Sequence, residues 1–344
     1  MFDPKYTISS RLLLNIKRIT EIITGLNSQS FSDVVLAELE KRAREMSAFS
    51  STSIEGNPLP LTDVKRILKN RPEHVRDSEK EVLNYNKALV ELDDLTRNGK
   101  QILGLSLILR IHEIVTEGLI AGHRRGLLRK EPVFVNDPRT RKSVYLPPNH
   151  SDVSRLMNEL LDYVRKNKDI VDPLILAGLF HKQFVIVHPF IDGNGRTARL
   201  ATKVLLAKMG LDTFYLFSFE NYYNKNVGKY FQEVGLRGDY YDIAGKTDFT
   251  PWLEYFTDGI IDELLRVEKE LGRESLSPEK ELKDWHRIIV GYIEKHGYMS
   301  DRDYAKLTDR AKPTRRIDFR KLINLGLIEK LGRGKATYYK LKND

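Results

Sequence analysis

Within twelve consecutive residues, from His188 to Arg199, the chain places an imidazole, a carboxylate, a glycine-rich turn and two guanidiniums: HPFIDGNGRTAR. Together these residue types suit one chemistry, the attack of a hydroxyl on a phosphorus atom. His188 carries a side chain that titrates near neutrality and can take the proton of the attacking hydroxyl. Asp192 offers the hard oxygen that Mg²⁺ prefers, and the sequence places it better for that task than as an ion-pair partner. Gly193, Asn194 and Gly195 permit backbone conformations that turn several N–H groups into one concavity, to which a following helix adds its positive dipole end. Arg196 and Arg199 share a face of the first turn of that helix. Two cations there oppose the macrodipole at about 0.3–1 kcal/mol each unless an anion is bound nearby. A polyphosphate supplies the anion, and guanidinium forks match its oxygens.

Two helices must hold this turn. Asp172 can cap and Pro173 can start the first, in which Leu174, Ala177, Phe180 and Phe184 recur at helical spacing until His188-Pro189 ends it. Gly195 begins the second, with Leu200, Val204 and Ala207 on one stripe and Gly210 as a stop. The imidazole is thereby expected at a helix exit, facing a loop.

The stretch resembles the signature of Fic-domain proteins, H-x-F-x-D/E-G-N-G-R-x-x-R, and matches it at every fixed position. The resemblance implies a mainly α fold, a Fic-type helical bundle with a β-hairpin flap. It implies transfer of AMP from ATP to a Ser, Thr or Tyr hydroxyl of a protein, with Mg²⁺. In that scheme His188 is the base, Phe190 an anchor in the core and Asp192 the magnesium ligand. Gly193, Asn194 and Gly195 surround the α-phosphate, and Arg196 and Arg199 take the outer phosphates. Far upstream, the serine-rich stretch SSTSIEGNP reads by itself as a loop. Beside the signature, Ser51-x-x-x-Glu55-Gly56 resembles the family's inhibitory motif, in which the glutamate pairs with the second arginine, here Arg199. An ion pair there would occupy the guanidinium meant for the γ-phosphate and repel that phosphate.

Composition narrows the setting. With 344 residues the chain is long enough for two or three cores. It has no cysteine, which excludes disulfides and thiolate metal sites. No apolar run approaches a membrane span, and Met1 to Ser10 lacks the apolar core of a signal peptide, so a cytoplasmic protein with no membrane partner is expected. The net charge of +9 is uneven: Ser275 to Asp344 hold 17 Lys+Arg against 10 Asp+Glu.

Three regions follow: an N-terminal helical region with the inhibitory motif (1–76), a catalytic core (77–272) and a C-terminal domain (273–344). Helices are expected over Arg11 to Leu26, from a cap at Ser32, from Thr62, over Glu79 to Leu95 and over Leu107 to Leu119. His112 lies in the last pattern, where a helix-face histidine is more often structural, and it is assigned no role. Residues 132–148 contain two β-prone runs, VFV and SVYL, around Asn-Asp-Pro, and read as a hairpin. Its place before the signature resembles the family's flap, whose edge holds the target protein's backbone as an added strand. After the signature, FSFENYYNKNVGKYF is dense in aromatics, and Tyr222, Tyr223 and Asn226 are the candidates for nucleobase contacts. Beyond a long helix opened by Thr250-Pro251, three short helices and two strands resemble a winged helix-turn-helix domain. Arg315, Arg316 and Arg320 on its third helix and Arg333 at the wing tip are the DNA-facing candidates.

The leading expectation is an autoinhibited protein adenylyltransferase. A nucleotide-sensing DNA-binding regulator, and a Fic enzyme that uses another phosphate donor or removes AMP, are the alternatives. Homodimerisation is left open.

Overall fold

The computed structural model describes residues 2–29, 31, 33–70, 72, 74–97, 103–136, 143–207, 218–275, 282–332 and 334–342. The chain forms two compact units, 1–29 with 40–268, and 30–39 with 269–344. The expected division at residue 76 separates nothing. Ala48, Leu59, Val64 and Ile67 from the N-terminal region share one apolar core with Val82, Ile108, Met157, Phe180 and Val204.

The larger unit is helical. It contains α1 (Ser10–Asn27), most of α2 (Asp33–Ile54), α3 (Leu61–Asn70), α4 (Asp77–Arg97), α5 (Leu105–Val115), α6 (His150–Asn167), α7 (Pro173–Val187) and α8 (Asn194–Ala207). After these come α9 (Phe219–Lys225), α10 (Val227–Val234), α11 (Tyr240–Ile243) and the first part of α12 (Thr250–Ser275). Its centre is α7, in which every residue but Pro173 and Val185 is buried. A helix apolar all round belongs inside a bundle. Asp172 starts it, its carboxylate accepting from Leu174 N at 2.8 Å. Gly178 lets α12 approach: a Cβ there would lie 2.6 Å from Leu253, and Trp252 Nε1 donates to the Gly178 carbonyl at 2.7 Å.

The serine-rich stretch is helix, not loop, because α2 runs on to Ile54. Hydroxyls disfavour helix interiors when they compete for backbone groups. Here Thr52 Oγ1 returns its bond to Ala48 O at 2.8 Å within the helix, and Ser51 finds a partner elsewhere in the core.

Strands β1 (Val135–Asn136) and β2 (Ser143–Leu146) pair antiparallel, with Val135 opposite Tyr145 and Asn136 opposite Ser143. The turn between them lies outside the described residues. A third strand, β3 (Gly238–Asp239), lies parallel to β2 at Tyr145 and Leu146, giving the order β1-β2-β3. The flap is therefore held at its base by a strand from well beyond the signature.

The smaller unit contains α13 (Asp284–His296), β4 (Met299–Ser300), α14 (Asp301–Leu307), α15 (Lys312–Asn324), β5 (Ile328–Leu331) and β6 (Tyr338–Leu341), with sheet order β4-β6-β5. Ser300 caps α14 and shares a capping box with Asp303. The core is Ile289, Ile293, Met299, Tyr304, Phe319, Leu322, Ile328 and Tyr339, with Phe319 stacked on Tyr339 at 3.9 Å. A buried Asp318 accepts from Arg310 Nε at 2.8 Å and Tyr304 OH at 3.0 Å. Arg315 departs from its expected outward role. Its fork grips Asp301 at 2.9 and 3.0 Å and donates to the Arg310 carbonyl at 2.7 Å, so it fastens α15 to α14. Arg316 and Arg320 are exposed, and Arg333 lies outside the described residues. Among the described residues no helix is long and apolar enough to cross a membrane.

Candidate active site

The signature turn joins the two most intimately packed helices of the larger unit, α7 and α8. His188 closes α7 in the left-handed conformation, φ 49° and ψ 60°, and is the one non-glycine residue with positive φ among those described. That conformation ends the helix and swings the half-buried imidazole out of its line. Nδ1 lies 3.3 Å from Val185 O, so it carries the proton and leaves the Nε2 lone pair free. Burial pushes the imidazole down to about 4, against the weaker upward pull of the hydrogen bond to Val185, with the nearby Arg129 charge lowering it further and Glu55 and Asp192 raising it slightly. It is thus unprotonated at neutral pH.

Phe190 is fully buried and stacks on the His112 ring, centroids 3.7 Å apart. His112 uses both nitrogens: Nε2 donates to Asp192 O at 3.1 Å, and Nδ1 accepts from Gly126 N at 3.0 Å. Asn194 closes the turn from inside, its amide exchanging two 2.9 Å bonds with the backbone of Phe190. Its side chain is thereby spent on shaping the loop. Gly193, at φ +75°, packs against α5, where a Cβ would lie 2.9 Å from Thr116. The first intrahelical bond of α8 is Thr197 N to Gly193 O at 2.9 Å, so the amides of Asn194, Gly195 and Arg196 precede the helical ladder. They stand at the positive dipole end of α8.

Asp192 differs from its sequence reading in one respect. It is an ion-pair partner, 3.2 Å from Arg196, as well as the acceptor of Gly193 N at 2.6 Å. Half its side chain is nevertheless exposed. Arg196 is buried between Asp192 and Glu81, each at 3.2 Å, and its Nε has no hydrogen-bond partner.

Arg199 is fully buried, and each of its three side-chain nitrogens is engaged. Nε donates to Ser51 Oγ at 2.7 Å, Nη2 to Ser51 O at 2.9 Å and to Glu55 Oε1 at 2.6 Å, and Nη1 to Tyr230 OH at 3.4 Å. Burial opposes the guanidinium charge, but the Glu55 carboxylate holds its pKa above the ordinary value. The same carboxylate oxygen lies so close over Gly195 that a Cβ there would collide with it. One helical turn further along, Ser47, Lys203 and Glu220 form a second buried polar layer between α2 and α8, with Lys203 and Glu220 3.2 Å apart.

Residues 102–206 match the model of the Fic/DOC family. This stretch of the chain is similar to that family. The match encloses His188 to Arg199, whereas Ser51 and Glu55 precede it. Over 246 residues the chain is 27% identical to the protein adenylyltransferase Fic of Aedes aegypti, covering 70% of this chain and 45% of that protein. Its counterpart from Nematostella vectensis is 30% identical over 181 residues, covering 49% and 39% respectively. The chain thus spans less than half the length of these relatives. Among solved structures, a Fic family protein from Desulfovibrio desulfuricans aligns with all of this chain and 99% of its own, at a TM-score of 0.65 and 22% identity. A fragment of Fic-1 from C. elegans covers 76% of this chain and 73% of its own, at a TM-score of 0.58 and 19% identity. These last two are likenesses of fold.

The fold commits the nucleobase candidates to packing and capping contacts. Tyr223 is fully buried, stacked between Tyr230 at 4.6 Å and Tyr255 at 5.8 Å, and belongs to the aromatic core under α12. Tyr222 lies against Gly259 and Tyr255, and Asn226 caps α10 by accepting from Lys229 N at 3.0 Å. In an aromatic-rich stretch, packing and capping took the side chains. Sequence reading overlooked Glu81, Tyr230, Arg129 and the positioning role of His112. Of these only His112 carried a signal, as a polar residue on a wholly apolar helix face.

Proposed function

We propose that this chain is an autoinhibited protein adenylyltransferase, transferring AMP from ATP to a Ser, Thr or Tyr hydroxyl of a target protein. The observation that carries the reading is the place of Glu55: its carboxylate lies against Gly195 and takes Arg199, setting protein charge where the start of α8 and a buried guanidinium favour an anion. The unpartnered, buried Nε of Arg196 supports the same ligand chemistry. Among the described residues no cluster of three metal-ligating side chains exists. That suits Mg²⁺ held by Asp192 together with phosphate oxygens and water, since this ion keeps most of its shell from substrate and solvent. When bound, the ion would offset negative charge on the phosphates.

The residues divide the work. His188 Nε2 accepts the proton of the attacking hydroxyl, as a base that stays neutral well below pH 7. The amides at the start of α8 face the α-phosphorus under attack; as the new O–P bond forms, the bond to the α,β-bridging oxygen breaks and the outer phosphates, held by Arg196 and Arg199 once Glu55 withdraws, leave as pyrophosphate. The flap, anchored by β3, presents the target's backbone beside the base. A cytoplasmic setting, rich in ATP and Mg²⁺, belongs to this reading. With α-labelled ATP and Mg²⁺, the Glu55→Gly protein is expected to acquire covalent label that Glu55→Gly/His188→Ala does not. Equal label in the two, or none in either despite ATP binding, overturns it.

A second reading concerns the smaller unit, which we read as a winged helix-turn-helix. Arg316, Ile317 and Arg320 are exposed on α15, with Ile317 62% exposed between the two arginines. Arginine forks flanking an apolar side chain suit base edges and thymine methyls in a major groove. The expected result is duplex binding that weakens with salt and with Arg316→Ala/Arg320→Ala. Binding unchanged by that pair removes the assignment.

A further inference from the structure

Ahead of the flap, in the run GLLRKEPV, Arg129 is only 3% exposed. Its guanidinium donates from Nε to the carbonyl of His188 at 2.8 Å, from Nη1 to that of Glu131 at 3.1 Å and from Nη2 to that of Pro148. Its own backbone N–H donates to Pro189 O at 2.9 Å. None of the hydrogen-bond acceptors is a carboxylate, and burial lowers the pKa of the group. A buried cation satisfied by carbonyls alone is costly, so its geometry is tightly set by what surrounds it.

The three carbonyls occupy informative places. Glu131 immediately precedes the flap segment and Pro148 ends it, so two bonds gather the flap's two feet. The third bond reaches the peptide of His188, the residue whose left-handed backbone aims the imidazole. Left-handed conformations in residues with a Cβ persist only where neighbours hold them. A second tie lies beside the first: Tyr145 OH, from β2, donates to Ile186 O at 2.9 Å, two residues before the base. Charged groups near the imidazole are Arg129, Glu55 and Asp192.

We propose that Arg129 is the positioning residue that ties both feet of the flap to the carbonyl of His188, so that a hydroxyl presented on the flap and the imidazole that deprotonates it keep one register. The inference rests on the adenylyltransferase reading for its functional consequence, but not for its geometry. A planar fork reaches three carbonyls at fixed angles. A lysine keeps the charge and can serve one of them well.

The test uses full-length protein in two arms. In the first, Glu55→Gly is the parent, with Arg129→Lys and Arg129→Met added and self-labelling by α-labelled ATP followed. The expected result is a fall in kcat of about tenfold for Lys and about a hundredfold for Met, with KM for ATP within about twofold of the parent, since uniform nucleotide binding is untouched. In the second arm, hydrogen exchange of the amides of Ser143 to Leu146 is measured in wild type and Arg129→Lys without nucleotide. Faster exchange there, with the α12 helix unchanged, is expected. A KM that rises together with the fall in kcat, or Lys as active as Arg, overturns the proposal, as does unchanged exchange in the second arm. If Arg129→Met fails to fold, Arg129→Lys decides in both arms. A parent that never labels refutes the adenylyltransferase reading alone, and the exchange arm still decides the clamp.

Discussion

Glu55→Gln separates charge from occupancy, because the amide keeps the size and one acceptor of the carboxylate but not its charge. In wild type, Arg199 Nη2 must release Glu55 Oε1, 2.6 Å away, before it can meet a γ-phosphate. A hydrogen bond to a charged group contributes about 1.5–3 kcal/mol, and a neutral one about 0.5–1.5 kcal/mol. Taking about 2.7 kcal/mol for the charged bond and one decade of rate per about 1.4 kcal/mol, Glu55→Gly should transfer about a hundredfold faster than wild type. Glu55→Gln, retaining roughly half of the restraint, should lie near tenfold. Neither change asks much of the fold. Glu55 follows the last residue of α2, and Gly56 already takes the left-handed turn at φ +95°. The assay is the initial rate of self-labelling at saturating α-labelled ATP and Mg²⁺, with ATP affinity measured separately. Glu55→Gln as slow as wild type beside an active Glu55→Gly would mean that bulk rather than charge restrains the site. Glu55→Gln as fast as Glu55→Gly would mean that the retained acceptor counts for nothing, and either result refutes the arithmetic.

Two further outcomes follow from buried polar groups. His112 and His181 are fully buried and held neutral, His112 at about 4 and His181 well below its ordinary value, chiefly by burial. Above about pH 6.5 neither folded nor unfolded chain protonates them; below it only the unfolded chain does. Unfolding free energy should therefore fall as pH drops from about 6.5 towards 5, approaching about 2.7 kcal/mol per pH unit for these two protons and about 4.1 kcal/mol once His188, likewise lowered to about 4, is counted, as read by urea denaturation. A flat profile across that window would place water or charge beside these rings. Lys203→Met strands the buried Glu220, which keeps only Tyr85 OH at 2.8 Å and the hydroxyls of Ser218 and Ser47. It should cost about 3 kcal/mol of stability, most of it recovered in Lys203→Met/Glu220→Gln, whereas a double variant as weak as the single one refutes the charge argument.

What the sequence exposed and what it hid divide along the range of the interactions involved. The signature helices were legible because each signal is local: the Asp172 cap lies two residues from the amide it binds, and the α7 stripe repeats within one helix. The helical end of α2 was not, because whether Ser51 breaks or sustains a helix depends on Arg199, 148 residues away. A hydroxyl with a tertiary partner no longer competes for its own backbone. Strand β3 is the two residues Gly238 and Asp239, poor strand formers that pair only because β2 presents an edge. Arg315 and Tyr223 mislead for the reverse reason. A basic helix face and an aromatic cluster look like ligand surfaces until Asp301 and the rings of Tyr230 and Tyr255 are seen to have taken them. Arg129 shows the limit most sharply, since all its side-chain partners are carbonyls, and a carbonyl leaves no mark in a sequence. In this chain the groups proposed for chemistry are written in residue types, whereas the groups that would aim them are written in backbone geometry. That is why the proposed base could be read from twelve residues and its proposed clamp could not.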